Sequence, residues 1–208
     1  MQFIKTPFLI RMLFHTFLWK VKTNQKVVYL TFDDGPIPEV TNWVLGVLKA
    51  ENIQATFFCI GDNIQKHPEV FKNIITDRHR IGNHTFNHLN GWKTPSKKYL
   101  ENVKKCDEII RKFGITTTLF RPPYGKTTPK QATKLQKEGY QMVCWDVLTY
   151  DFDPTLNLQT TYPKIQKAIE NGSILVFHDS LKAEKNLKYI LPKLITDLKK
   201  RGFSFGKI

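Results

Sequence analysis

The chain has 208 residues, of which 41% are hydrophobic and 12% aromatic, enough apolar material for one substantial core and most simply one domain. Its 32 basic against 18 acidic residues give a net charge of +14, which favours encounter with something anionic; no nucleic-acid motif with helical or zinc-knuckle spacing accompanies it, so no nucleic-acid partner is expected. Cys59, Cys106 and Cys144 form no CxxC pair and sit among apolar neighbours, which argues against a disulfide framework and against a catalytic thiol.

Residues 1–24 read as an amphipathic segment preceding a main domain over residues 25–208. Lys5, Arg11 and His15 interrupt the apolar run, and Met12 to Trp19 is too short to span a bilayer. No small-residue cleavage site follows a clean apolar stretch. Phe8, Met12, Phe14 and Phe17 are expected to pack on the core, with an anionic membrane face as the alternative. A cytoplasmic location, or one peripheral to the inner membrane, is the corresponding expectation.

Beyond this segment, apolar runs and helical stripes alternate. Strands are predicted at Val27 to Phe32, Ala55 to Ile60, a short run ending at Ile81 and Gly82, Thr118 to Phe120, Tyr140 to Trp145, Ser173 to Phe177, and Phe203 to Phe205. Helices are predicted from near Pro38, from Asp62 to Asp77, from an N-cap at Ser96 to Gly114, from near Pro129, from Gln159 to Glu170, and from Glu184 to Lys200. This alternation is that of a parallel sheet with crossover helices, here long enough to close into a barrel.

Polar residues keep phase with the strands. Asp33 and Asp34 follow the first, His84 and His88 the third, Arg121 the fourth, Asp151 the fifth and His178 the sixth. In a β/α barrel all these ends share one face, so residues distant in sequence converge there. Asp34, His84 and His88 supply the carboxylate and two imidazoles that a divalent transition metal takes while positions stay open for water and substrate. The HxxxH spacing suggests one helical turn, with Thr85 and Asn87 as hydrogen-bonding support. Asp33, not needed as a ligand, is free to serve as general base on metal-activated water. Trp92 is either a stacking platform for a sugar ring or a loop aromatic packed on the rim.

TFDDG, HTxxH, RPPY, an acidic loop and a strand-terminal histidine, in this order and at these separations, resemble the NodB-homology polysaccharide deacetylases, carbohydrate esterase family 4, from about Val27 onward. The resemblance implies a distorted (β/α) barrel with seven to eight mostly parallel strands. It also implies metal-dependent removal of N-acetyl, less often O-acetyl, groups from an N-acetylated glycan, with zinc as the expected metal and Co2+, Ni2+ or Mn2+ as substitutes. By position, Asp33 is similar to the family's base, His178 to its general acid, Arg121 to the arginine that holds the charged groups, the Tyr124 backbone N–H to the oxyanion donor, and Asp151 to the orienting carboxylate. Phe152 stands where Trp usually follows that Asp, keeping an aromatic wall without its N–H donor and leaving Asp146 and Asp153 as alternative orienting groups. Val176 replaces the Leu that commonly precedes the histidine by two residues. Two other readings stand beside this one: an amidase acting on a non-sugar C–N bond, and a catalytically silent carbohydrate- or membrane-binding protein.

Overall fold

The computed structural model describes residues 3–208. Its sheet contains β1 (Val27–Asp33), β2 (Thr56–Cys59), β3 (Arg80–Asn83), β4 (Leu119–Phe120), β5 (Gln141–Met142), β6 (Val147–Leu148), β7 (Ile174–His178) and β8 (Ser204–Gly206). The path runs β5-β4-β3-β2-β1-β7-β6, all pairs parallel, and β8 pairs with the first half of β1. Around it lie α1 (Phe8–Leu13), α2 (Pro38–Ala50), α3 (Gly61–Lys66), α4 (Pro68–Thr76), α5 (Ser96–Arg111), α6 (Pro129–Lys137), α7 (Leu158–Ala168) and α8 (Glu184–Lys200).

The period-two alternation of β1 decides what enters the barrel. Val28, Leu30 and Phe32 join the main core with α2 and α8, and Phe32 stacks between Phe57 and Phe177 with ring centroids 4.9 and 5.7 Å away. The opposite set, Tyr29, Thr31 and Asp33, points inward; Tyr29 packs on a small interior cluster of Phe58, Leu119, Val143 and Ile174. An acidic residue in phase with the interior is thus carried to the end of an otherwise apolar strand.

Four expectations change. The predicted strand over Tyr140 to Trp145 ends at Met142, and β6 begins only at Val147, so the sheet is a curled half-barrel whose two end strands are not paired. Carbonyls that a neighbouring strand would take are used otherwise: Val143 and Cys144 accept from Arg121. The seam is filled by the amino-terminal segment, where Leu18 N–H donates to Met142, Cys144 N–H to Leu18, Thr6 N–H to Asp146 and Leu148 N–H to Ile4, at 2.8 to 2.9 Å. These bonds satisfy edge groups that could not be left bare.

Second, α1 does not bury its apolar residues. Arg11 turns inward, its Nη1 3.2 Å from the buried Asp146 carboxylate, so the polar side meets the barrel while Phe8, Leu9, Met12 and Leu13 are exposed; beyond the helix Phe17 is buried in the core and Phe14, half-buried, packs against it. Third, the helix expected over Asp62 to Asp77 is two, divided at His67 before Pro68, as proline disfavours helical backbone in the preceding residue. Ser96 likewise opens α5 as its first residue, with Pro95 in the cap position. Fourth, His84 and His88 lie on a loop rather than a helical turn, with Thr85 (φ 66°) and His88 (φ 55°) left-handed. Thr85 Oγ1 accepts from Leu89 N–H and Asn87 Oδ1 from the Asn102 amide, so these residues shape the loop.

All three cysteines are buried and unpaired. Among the described residues no helix is long and apolar enough to cross a membrane.

Candidate active site

A cavity of about 620 Å³ opens at the carboxyl ends of the strands. Asp33, Asp34, His84, His88, Tyr124, Phe152 and His178 line it; Arg121 and Asp151 lie fully buried behind the wall. Trp92 is not brought to it. That ring is 62% exposed, its Nε1 donates to the Thr127 carbonyl, and Lys126 stands over its face.

β1 delivers Asp33 as its last residue, and the chain then reverses through Asp34 at φ 83°. Left-handed backbone at a non-glycine residue costs on the order of 1 kcal/mol or more, so surrounding bonds must hold it. Asn63 donates to the Asp34 carbonyl at 2.7 Å, Ile60 N–H to the Gly35 carbonyl at 3.0 Å, and Gly35 N–H to Asp179 Oδ1 at 3.1 Å. Asp34, Thr85, His88 and Tyr124 account for four of the seven described non-glycine residues at positive φ, so the strained backbone concentrates where ligands are aimed.

The side chains converge on one point. Asp34 Oδ1 lies 3.2 Å from His88 Nε2 and 3.8 Å from His84 Nε2, and one donor atom from each of the three residues falls within 4.8 Å of the others. His84 Nδ1 is 2.7 Å from the Arg121 carbonyl, an acceptor only, so Nδ1 carries the hydrogen and Nε2 presents a lone pair. Burial lowers His84 to about 4 against the raising charge of Asp33, keeping the imidazole neutral. His88 is held through Nδ1 by the Tyr124 hydroxyl at 3.1 Å, leaving its Nε2 toward Asp34. Burial would raise Asp34, but the His88 contact and the charge of His178 hold it well below the usual carboxylate range. Its Oδ1 is buried with no hydrogen-bond partner. An ionised carboxylate oxygen facing the Nε2 atoms of two imidazoles, that of His84 presenting a lone pair, is a donor set that fits a divalent cation. The outer partners that orient both rings are of the kind metal sites require.

Arg121 locks Asp33. With no exposed surface, its guanidinium places Nη1 2.7 Å from both Asp33 Oδ1 and Thr31 Oγ1, Nε 3.2 Å from the Val143 carbonyl and Nη2 2.9 Å from the Cys144 carbonyl. Its Cζ lies 4.1 Å from the Phe58 ring centroid. A buried cation is tolerable only when its donors are used in this way. The arrangement leaves Asp33 Oδ2 facing the site, 4.0 Å from His84 Nε2.

His178 ends β7 in register with Asp33. Of the three carboxylates open as its orienting group, the structure brings Asp151: Oδ2 accepts from His178 N–H and Oδ1 lies 2.7 Å from Nδ1. Burial would lower the imidazole, but the charge and hydrogen bond of Asp151, with Asp34 and Asp33 behind, push it up to about 9. Asp146 instead binds Ser173 and Arg11 at the seam, and Asp153 accepts from Thr155 and, through its carbonyl, from Asn186. Phe152 meets His178 edge-on at 5.0 Å, and Val176 is buried within β7 outside the cavity lining.

Sequence reasoning gave no role to Asp179. Buried and pushed up to about 8 by desolvation, it accepts from Gly35 N–H and from the Thr41 hydroxyl at 2.5 Å, clamping the Asp34 turn. Its only signal was a second carboxylate directly after the strand-terminal histidine. The clamp explains the glycine: a Cβ at Gly35 would lie 2.0 Å from Asp179 Oδ2. Gly35→Ala should therefore destabilise the fold by about 2 kcal/mol or more and displace Asp34, seen as a lower thermal midpoint together with weaker zinc binding by calorimetry. An unchanged midpoint would remove the clamp from the account.

The polysaccharide deacetylase family profile matches residues 20–143. The chain is 31% identical over 191 residues to a peptidoglycan-N-acetylglucosamine deacetylase of Bacillus cereus, covering 90% of this chain and 88% of that one. It is similar, with a TM-score of 0.89 and 31% identity over 98% of this chain and 95% of the other, to the crystal structure of a peptidoglycan N-acetylglucosamine deacetylase in complex with 4-naphthalen-1-yl-N-oxidanyl-benzamide. A CE4 family pseudoenzyme from Bacillus anthracis shares the fold as well, with a TM-score of 0.81 and 23% identity over 91% of this chain and 66% of that one. Fold alone therefore does not separate active from silent relatives; the side chains must. On the motifs, the half-barrel and these matches together, the chain belongs to the polysaccharide deacetylase family, carbohydrate esterase family 4.

Proposed function

We propose that this chain hydrolyses the acetamide of N-acetylglucosamine units in a peptidoglycan-type or chitin-type glycan, using a divalent metal, most simply zinc, held by Asp34, His84 and His88. The observation that carries the reading is that two kinds of group line one cavity from neighbouring strand ends: the carboxylate of Asp33 and the imidazole of His178, held protonated by Asp151. A binding module needs neither a base nor an acid; amide hydrolysis needs both.

When bound, the metal supplies Lewis acidity, polarising the acetyl carbonyl and making water a stronger acid. The residues do the rest. Asp33 takes the proton of the attacking water through Oδ2, while Arg121 fixes Oδ1. Tyr124, whose left-handed backbone turns the loop at the cavity mouth, offers its N–H to the developing oxyanion. His178 gives a proton to the departing amine, which leaves poorly without one, and Asp151 keeps the ring aligned and charged. Phe152 walls the acid from the side. Relatives named for peptidoglycan N-acetylglucosamine support the choice of sugar.

The test is acetate release from a panel of chitooligosaccharides, peptidoglycan fragments and non-sugar amides. Release from the glycans should fall by at least about 100-fold after chelation and return with zinc, as expected when a Lewis acid is removed. Turnover of the amides alone would favour the non-sugar amidase, and tight zinc binding without turnover of any substrate would favour a silent glycan-binding protein.

A further inference from the structure

The amino-terminal segment carries an apolar surface that hydrolysis does not use. Of the large hydrophobic side chains that are exposed, Phe3, Phe8, Leu9, Ile10, Met12 and Leu13 crowd into eleven residues, at 40 to 72% exposure. The helix cannot tuck them away. It is pinned on one side by Thr6 N–H to the Asp146 carbonyl, on the other by Leu18 between Met142 and Cys144, and beneath by Arg11 to the Asp146 carboxylate. A patch held outward in this way marks an interaction surface.

Charge around the patch indicates the occupant. No Asp or Glu occurs before Asp33; of the five cations there, Arg11 pairs with Asp146 and Lys5 and Lys20 with Glu170, which leaves Lys22 and Lys26 outside those pairs. The segment lies beside two helices. Gln136 of α6 bonds the Thr16 carbonyl, and Lys5 bonds the Ala168 carbonyl of α7. Within their spans α6 presents Lys130, Lys134 and Lys137, and α7 Lys164 and Lys167, all five exposed, and neither helix contains an acidic residue. A second copy docked on this face by a twofold axis would set lysines against lysines. An apolar patch with a basic surround matches instead the interface of an anionic bilayer, where apolar side chains enter the headgroup boundary and lysines meet lipid charge.

We propose that α1 and its lysine surround form a membrane-docking face selective for anionic lipid. The face adjoins the catalytic mouth. Ile4 accepts from Leu148, which lines the cavity, and the Phe3 carbonyl accepts from Tyr150, whose ring packs on Phe152. Docking would hold the active site beside glycan at the bilayer surface. The inference is independent of the catalytic reading.

The experiment is co-sedimentation of the full chain with vesicles of phosphatidylcholine alone and of phosphatidylcholine mixed with phosphatidylglycerol, at low and high salt. Binding should be at least about tenfold tighter to the anionic vesicles and weaken in high salt. The double variant Leu9→Glu, Leu13→Glu should lose it, and Lys134→Glu, Lys137→Glu should lose the lipid preference; both should keep wild-type melting and acetate release from soluble chitooligosaccharide, since neither pair is buried. No binding of the wild type to either vesicle, equal binding to both, or wild-type binding by the Leu9→Glu, Leu13→Glu variant would overturn the proposal. So would sedimentation showing a dimer that this variant dissociates while vesicles go unbound.

Discussion

Asp33→Asn is expected to lower kcat for glycan deacetylation by about 1,000-fold, within the range attributed to a positioned general base. The substitution is informative because its structural cost is contained. Asparagine keeps an oxygen where Arg121 Nη1 donates at 2.7 Å, and the remaining guanidinium contacts, to Thr31, Val143 and Cys144, do not involve residue 33. What disappears is the negative charge opposite a buried cation, so a stability loss of about 3 kcal/mol or more should accompany the kinetic defect. Zinc affinity by calorimetry should stay within about threefold of wild type, because the proposed ligands are Asp34, His84 and His88. A folded Asp33→Asn protein within tenfold of wild-type kcat would mean that the water proton goes elsewhere. Loss of kcat together with lost zinc binding would mean that Asp33 is a ligand and that the two aspartates have exchanged roles.

The second large effect is on the acid. In the proposed mechanism His178 acts in its protonated form, so its contribution would be full at low pH and lost as pH rises through the folded-state value of about 9. The raised value comes mainly from Asp151, set against burial that works the other way. Asp151→Asn removes that charge, and the alkaline limb of the kcat profile should move down toward or below the ordinary histidine value near 6.5. An asparagine amide donating to Nδ1 would also hold the ring in a neutral tautomer, which is a poor acid, so kcat at pH 7.5 should fall by about 100-fold or more. The same sign governs stability. A histidine raised by folding stabilises fully below its unfolded value, and that share fades as pH climbs through 9, so the variant should lose most of its stability difference from wild type at high pH. An unmoved alkaline limb in Asp151→Asn would detach the limb from His178.

Both variants probe residues visible in the sequence, and the reason for that visibility is periodicity. Alternation along Val27 to Asp33 marks which side chains enter the barrel, and a charge at the end of each apolar run marks its carboxyl-terminal edge, so the catalytic face follows from local pattern and β/α topology. The same local logic misread HTFNH. Two histidines four apart suit a helical turn, yet the loop is held open by the Arg121 carbonyl, Asn83, Asn102 and the Tyr124 hydroxyl, partners that lie far away in sequence or have no periodic signal.

What Thr31 to Gly35 and His84 to His88 determine alone is the inventory: a candidate base, a candidate metal-ligating set and the strand ends that carry them. Tertiary structure decided which groups meet. Asp151 rather than Asp146 or Asp153 faces His178 because Asp146 is consumed by Arg11 and Ser173 at the seam, a competition between segments 135 and 27 residues away. Asp179 became a clamp because β7 lies in register beside β1, which sets its carboxylate against Gly35. The open seam itself, and with it the outward face of α1, depends on where Tyr140 to Trp145 leaves the sheet. A short apolar run cannot specify that point, because strand ends are set by the partners available to its backbone.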